Sequence, residues 1–340
     1  MRGGAARLLQ RATTRTLGGS HRGKVSAIIR PSTVGVACLF LFAVSQGMRD
    51  AFFGSIFQSV SFLFVAALAF SLTCVVFITA SVVRRPQDLQ RLTAALVPFL
   101  ALNATTAVAW LGFFYGLRHL EPAVVATLYN GVGSLVVLLL GSVGWKAAKA
   151  ESSLLERLFF AGIAAALVAL ALVVLSGQSG LPTSGIATEA IALAVVMVAG
   201  SMITVGHMIA RWFNDAGVHS DAVQGTRFLL TLIAAVILEA LFGESAARPS
   251  IEAIPLLAIA AFALIVTPSF LVQLGISRTT PLTANVFRAL GPVFVFAAQQ
   301  FDGRLRFSGA TLLCILVFCV CAVGASASRG WLEARQPANP

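Results

Sequence analysis

The sequence predicts an all-α integral membrane protein in which ten transmembrane helices form two inverted five-helix repeats around a central cavity. Three observations carry this expectation. The 340 residues are 58% hydrophobic and 11% charged, whereas a soluble domain is about half apolar and about a quarter charged. The stretches 51–83, 92–117, 122–145, 253–277 and 307–328 contain no charged residue at all, and about 20 apolar residues suffice to cross a bilayer. A shift of 159 residues, the offset between Gly47 and Gly206, superposes four of the five expected helices of each half without a gap. Helices rather than strands are expected because backbone groups in hydrocarbon must bond within the segment, and the runs lack the alternation of barrel strands.

The elements follow in order. Residues 1–32 form a basic tail. The uncharged run 51–83 is too long for one span and too short for two, so its first part belongs to helix 1 at 33–56, which carries Arg49 and Asp50, and helix 2 covers 60–83. The polar stretch Arg84-Arg85-Pro86-Gln87-Asp88 ends it. Helix 3 runs 92–117. Pro122 starts helix 4, which stops near Trp145, since proline suits the first helical position. Helix 5 occupies 157–177 and closes the first repeat at 33–177. A Gly, Ser, Pro and Thr linker follows, with 178–188 dividing the chain. The second repeat, 189–327, holds helices at 189–213, 219–243, 252–277, 281–301 and 307–327, and 328–340 form a second tail.

Basic residues near span ends mark the cytoplasmic side. With ten spans, seventeen Lys and Arg fall on the side of both termini and five on the other, so both termini are expected to be cytoplasmic. A plasma membrane of the bacterial inner-membrane kind fits this bias. Arg7, Arg11 and Arg15, at helical spacing in an acid-free tail, also match a mitochondrial transit peptide, which would place the chain in an organellar membrane.

An odd number of spans per half makes the second half enter the membrane from the opposite side. Inverted repeats of this kind build a cavity near the midplane that opens to either side. The same shift pairs Gly116 with Gly275 and Pro122 with Pro281.

Around helices 3 and 4, the segment Trp110-Leu111-Gly112-Phe113-Phe114-Tyr115-Gly116-Leu117-Arg118-His119-Leu120-Glu121-Pro122-Ala123 resembles the EamA-type repeat of the drug/metabolite transporter superfamily, and its counterpart is Leu271 to Leu282. The resemblance covers about residues 33–327. It implies ten helices, a central cavity, and export of small metabolites or amino acids, with nucleotide-sugar and sugar-phosphate carriers as more distant relatives. Gln46-Gly47-Met48-Arg49-Asp50 departs from the Trp-Gly-Ser opening common in that family.

Charged residues within spans are costly and face protein or a water-filled cavity. Arg288 lies about 10 Å into helix 9, three residues after Asn285 and on the same face. Its guanidinium can clamp a carboxylate or phosphate; snorkelling towards the interface is the competing expectation. Arg227 is expected to be a structural ion-pair partner. Arg49 and Asp50 point about 100° apart on a helix, so they are expected not to neutralise each other, and Asp50 is a candidate proton carrier or salt-bridge member. His207 is a candidate for proton transfer, or else a packing histidine. Trp110, Tyr115, Tyr129, Asn130 and Gln273 are candidates, with Gln46 and Asn103, for a polar cavity with aromatic walls. Trp145 and Trp212 are expected at the membrane interface.

Within the spans Arg49, Arg227 and Arg288 face Asp50 and Glu239, so the expected cargo is anionic: an amino acid, an amino-acid derivative or an opine-like chelator. The partners expected are this small molecule and the lipid bilayer. A homodimer is left open, and nucleic acid is excluded because the basic residues sit at span ends. The five cysteines lie in apolar runs without metal-ligand spacing, and no cofactor or metal is expected. An intramembrane enzyme would need a GxSG, HExxH or paired-aspartate motif within the membrane, and no span holds one; a non-transporting scaffold is the remaining competitor.

Overall fold

A computed structural model describes residues 33–142, 153–182, 185–243, 249–276 and 278–335. Among them there are twelve α-helices and no strand, and ten candidate spans are long and apolar enough to cross a membrane. The chain is thus an integral membrane protein built of helices. The spans are α1 (Thr33–Ile56), α2 (Phe62–Arg84), α4 (Leu96–His119), α5 (Pro122–Ser142), α6 (Leu154–Leu175), α7 (Ile186–Asp215), the pair α8 (Ser220–Thr226) and α9 (Leu229–Phe242), α10 (Ile254–Ile276), α11 (Pro281–Gln299) and α12 (Gly309–Arg335). Between α2 and α4 lies the short α3 (Pro86–Ala94).

Local chemistry explains most boundaries. Ser61, Ser153 and Thr280 cap α2, α6 and α11 by accepting from the backbone N–H three residues on, which satisfies one of the orphan donors of the first turn. Most boundaries shift by up to three residues from the sequence expectation, and four differences bear on the packing. Helix 3 was expected from 92, but Pro86 starts α3, whose polar composition keeps it outside the apolar run, and the chain breaks at Ala95 before α4. The linker expected at 178–188 gives way to α7 at Ile186, three residues before 189. The tail expected from 328 continues α12 to Arg335, where Arg329 bonds Glu156 at 3.0 Å and binds the helix end to α6.

The fourth difference is the helix expected across 219–243, which is interrupted at Arg227 and Phe228. No proline causes it. Gly225 lies so close to the backbone of Phe77 and Ile78 that a Cβ would stand 2.9 Å from Ile78 N, and Asn103 Oδ1 accepts from Leu230 N at 3.2 Å at the restart. Partners distant in sequence stabilise the break. Trp145 and Gln273's side chain lie outside the described residues.

Consecutive spans alternate in direction. One face therefore gathers Arg84, Asp88 and His219, and the other gathers Gln58, Arg118, Arg304 and Gly180. Asp88 accepts from His219 N at 3.1 Å on the first face, and Gln58 Nε2 donates to Arg118 O at 2.8 Å on the second. In the packing, α4 lies along α7, α1 lies along both α10 and α11, α5 along α7, and α6 along α12. Small residues permit these approaches. A Cβ on Gly47 would stand 2.7 Å from Phe294 O, so α1 and α11 meet nearly backbone to backbone. Gly47→Ala is accordingly expected to cost about 1–3 kcal/mol through overpacking, seen as a lowered melting midpoint of the purified chain in detergent.

Candidate functional site

Arg288 and Asn285 lie on a stripe of α11 whose other members, Ala284, Gly291, Pro292 and Val295, are buried, yet both are exposed. We read this interruption of the packed stripe as a gap between the helices. On α7, His207 is likewise exposed although Ile203 and Gly200, on the same helix face, are buried. Arg227 and Arg288 both lie within electrostatic reach of His207, so the break after α8, α11 and α7 bring these groups to a common region. No hydrogen bond or ion pair holds the Arg288 guanidinium among the described residues. Gln46 borders the same gap, its amide 3.6 Å from the Cβ position of Gly291.

Beyond this gap the bundle is closed by rings. Phe53, Phe57 and Phe114 lie with centroids 5.1–5.4 Å apart, Phe70 stacks on Phe228 at 4.8 Å, and all five are under 2% exposed. Trp110 packs its edge against Phe70, Phe114 and Phe228. The polar gap thus lies in the half of the bundle towards Arg84, and an aromatic seal fills the half towards Arg118.

Arg49 and Asp50 stand at the border between gap and seal. Contrary to the sequence expectation, they do pair: Arg49 Nε bonds Asp50 Oδ1 at 2.7 Å. The 100° between their Cα–Cβ directions does not prevent this, because the long arginine stem turns back across its neighbour. The guanidinium also lies over Trp110 and Phe113, 5.7 and 5.6 Å from the ring centroids. Tyr129, 4.7 Å from Phe113, lies within electrostatic reach of Arg49, Asp50 and Arg227.

Arg227 does not fulfil the expectation of an ion pair. Among the described residues no carboxylate pairs with it; Nε donates to Thr106 Oγ1 at 3.3 Å, and the guanidinium lies 5.3 Å from the Phe228 centroid. The helix break places it there. Tyr115 also departs from the expected cavity lining, since it packs on His119 at 4.5 Å and on Phe62, near the Arg118 face. Asn130 bonds its own helix, donating to Ala126 O at 2.9 Å. Trp212 lies in the last turn of α7, half exposed.

A crystal structure of a protein is similar to this chain. It superposes with a TM-score of 0.58 at 19% sequence identity, over 88% of this chain and 98% of the other. No family model matches the chain, and no curated protein matches it. The likeness concerns the fold alone.

A residue that the sequence shows only within the stretch resembling the EamA-type repeat joins several elements. Glu121 is buried between α4 and α5; its carboxylate accepts from Gly180 N at 2.8 Å, from Thr311 Oγ1 at 3.2 Å and from the Gln299 amide, whose oxygen in turn accepts from Ala123 N at 2.9 Å. One carboxylate thereby ties α5, α11, α12 and the α6–α7 connection together on the Arg118 face. Its sequence signal is an acid set between two apolar runs, immediately before a helix-starting proline. Nearby, Asp302 accepts from Arg304 Nε at 2.9 Å, and Arg304 also donates to Gly54 O at 3.0 Å.

Burial pushes the Glu121 carboxyl above its ordinary value of 4.5, against the opposing bonds from Gly180, Gln299 and Thr311. The folded chain therefore binds this proton more readily than the unfolded chain. The stability it contributes is full below the unfolded value and is lost as pH rises through the folded one. The melting midpoint is expected to fall as pH is raised above the ordinary carboxylate range, and Glu121→Gln, a neutral isostere, should flatten that dependence. An equal slope in both proteins would contradict this assignment.

Proposed function

We propose that this chain is a secondary transporter that moves a small anionic or polar metabolite, an amino acid or amino-acid derivative with a free carboxylate, through the interior gap by alternating access. The observation that carries the reading is Arg288, a permanent charge inside the membrane-spanning bundle, exposed on an otherwise packed stripe and without an acceptor among the described residues. An intramembrane charge of this kind requires a partner. A carboxylate arriving with the cargo supplies one, held by the bidentate fork that arginine offers. Asn285 and His207 add donors beside it, and Arg227 keeps the surrounding potential positive.

The arrangement is that of two inverted five-helix repeats, 33–177 and 189–327. Packing supports this: α4 on α7 has its counterpart in α10 on α1, α5 on α7 in α11 on α1, and α2 on α10 in α9 on α4. Gly116 approaches Val196 of α7, and its counterpart Gly275 approaches Leu39 and Gly35 of α1, the matching level of the matching helix. The helix interrupted at Arg227 is the kind of discontinuity that carries ligand sites in such transporters. With the resemblance to EamA-type transporters, the reading extends to export across a plasma membrane with both termini cytoplasmic, so that the gap opens inwards and the aromatic seal lies outwards.

Proteoliposomes holding the full chain test it by counterflow of labelled L-alanine, L-glutamate, L-phenylalanine, N-acetyl-L-phenylalanine and glucose 6-phosphate. Flux of at least one carboxylate above empty liposomes is expected. Flux of the phosphate alone would favour a sugar-phosphate exchanger, and none at all would leave an intramembrane enzyme or a scaffold.

A further inference from the structure

The Arg49 and Asp50 pair is only half made. A guanidinium facing a carboxylate ordinarily engages it through two parallel bonds, but here the single contact runs from Nε to Oδ1. Asp50 is fully buried, and its second oxygen, Oδ2, has no hydrogen-bond partner among the described residues. Among the described residues the Nη groups of Arg49 have no acceptor either; the guanidinium lies against Trp110 and Phe113, and the side chain remains 12% exposed at the edge of the gap. The pair thus offers donors to an anion and an unmatched oxygen to a cation.

We propose that Asp50 is the coupling-ion site of the transport cycle and that its ion is a proton, taken up on Oδ2 as the cargo carboxylate, passed on from Arg288, draws Arg49 away from Oδ1. This rests on the transport reading above. Once the arginine fork turns to the cargo, Asp50 would be a buried carboxylate without a counter-charge, a state costly enough that the group neutralises instead. The proton comes from water on the open side and bonds to Oδ2. It returns to water on the other side when the cargo leaves and Arg49 recovers Asp50. One proton therefore accompanies each carboxylate.

The surroundings select a proton over a metal cation. A hard cation needs about six oxygen ligands, whereas the Arg49 guanidinium and the Trp110 and Phe113 rings against it offer none, and no cluster of three or more His, Cys, Asp and Glu that could hold a metal occurs among the described residues. The titratable groups facing it are few. Its own helix contributes Arg49, α5 contributes Tyr129, and α4 presents Trp110 and Phe113 at this level. Residues 254–276 of α10 contain no titratable side chain, and α11 contains only Arg288. Arg304 lies one turn outward, on Gly54 O.

The test uses the full chain in phosphatidylethanolamine and phosphatidylglycerol vesicles with a trapped pH dye, and the panel member above that gives the largest flux. An inward gradient of that compound, without a pH gradient, should acidify the lumen in step with its entry, unchanged when sodium is replaced by choline. Asp50→Asn should lower the acidification per molecule entering about tenfold, and Asp50→Glu should keep it; size-exclusion profiles confirm that both variants fold. Entry with a silent dye, a sodium requirement, or full acidification by Asp50→Asn overturns the proton site while leaving transport intact. No entry of any panel member defeats the transport reading and the proton site with it.

Discussion

Transport by Arg288→Ala is expected to fall about 100-fold, the scale on which loss of one partner of a buried, hydrogen-bonded charge pair acts. The fold should survive the change, because Arg288 holds no other part of the protein through a hydrogen bond or ion pair among the described residues. Arg288→Lys should recover only part of the flux, since a lysine keeps the charge and loses the planar fork. Counterflow of the best labelled carboxylate, with the melting midpoint measured in parallel, checks both. Unaltered flux in the alanine variant would mean that Arg288 reaches the interface instead of the cargo.

The second large effect concerns stability. Asp50 is fully buried and Arg49 is its one hydrogen-bonding and ion-pair partner among the described residues. Arg49→Ala leaves that carboxylate without its counter-charge, which costs about 3–5 kcal/mol when one member of a buried pair is removed. The single variant should lose most of its monodisperse yield at neutral pH. Arg49→Ala with Asp50→Asn should regain much of it, because the charge needing compensation is gone. Equal stability of the single and double variants would show that water already reaches Asp50.

What the sequence made legible was set by composition and by local geometry. Long uncharged runs give the spans, prolines 122 and 281 start α5 and α11 where expected, and three-residue spacing puts Asn285 and Arg288 on one face. What stayed hidden depended on side chains meeting across the bundle. The interruption of α8 and α9 relies on Phe77 and Asn103, over a hundred residues away, with only Gly225 as a local hint. The Glu121 clasp needs Gly180, Gln299 and Thr311. The Arg49 and Asp50 contact was misjudged because Cα directions describe a short side chain well and an arginine poorly. Tyr115 was misplaced because an aromatic near a span end serves a wall or an interface equally well in sequence.

The central claim is that Arg288, Asn285 and His207 line a chamber open towards the face carrying Arg84 and sealed towards the face carrying Arg118. Asn285→Cys in a chain whose five native cysteines are replaced by serine or alanine tests it in oriented vesicles with a membrane-impermeant thiol reagent. Labelling from the Arg84 face, slowed by a transported carboxylate, is the predicted result. Labelling from neither face, or a rate indifferent to every carboxylate tested, would contradict it.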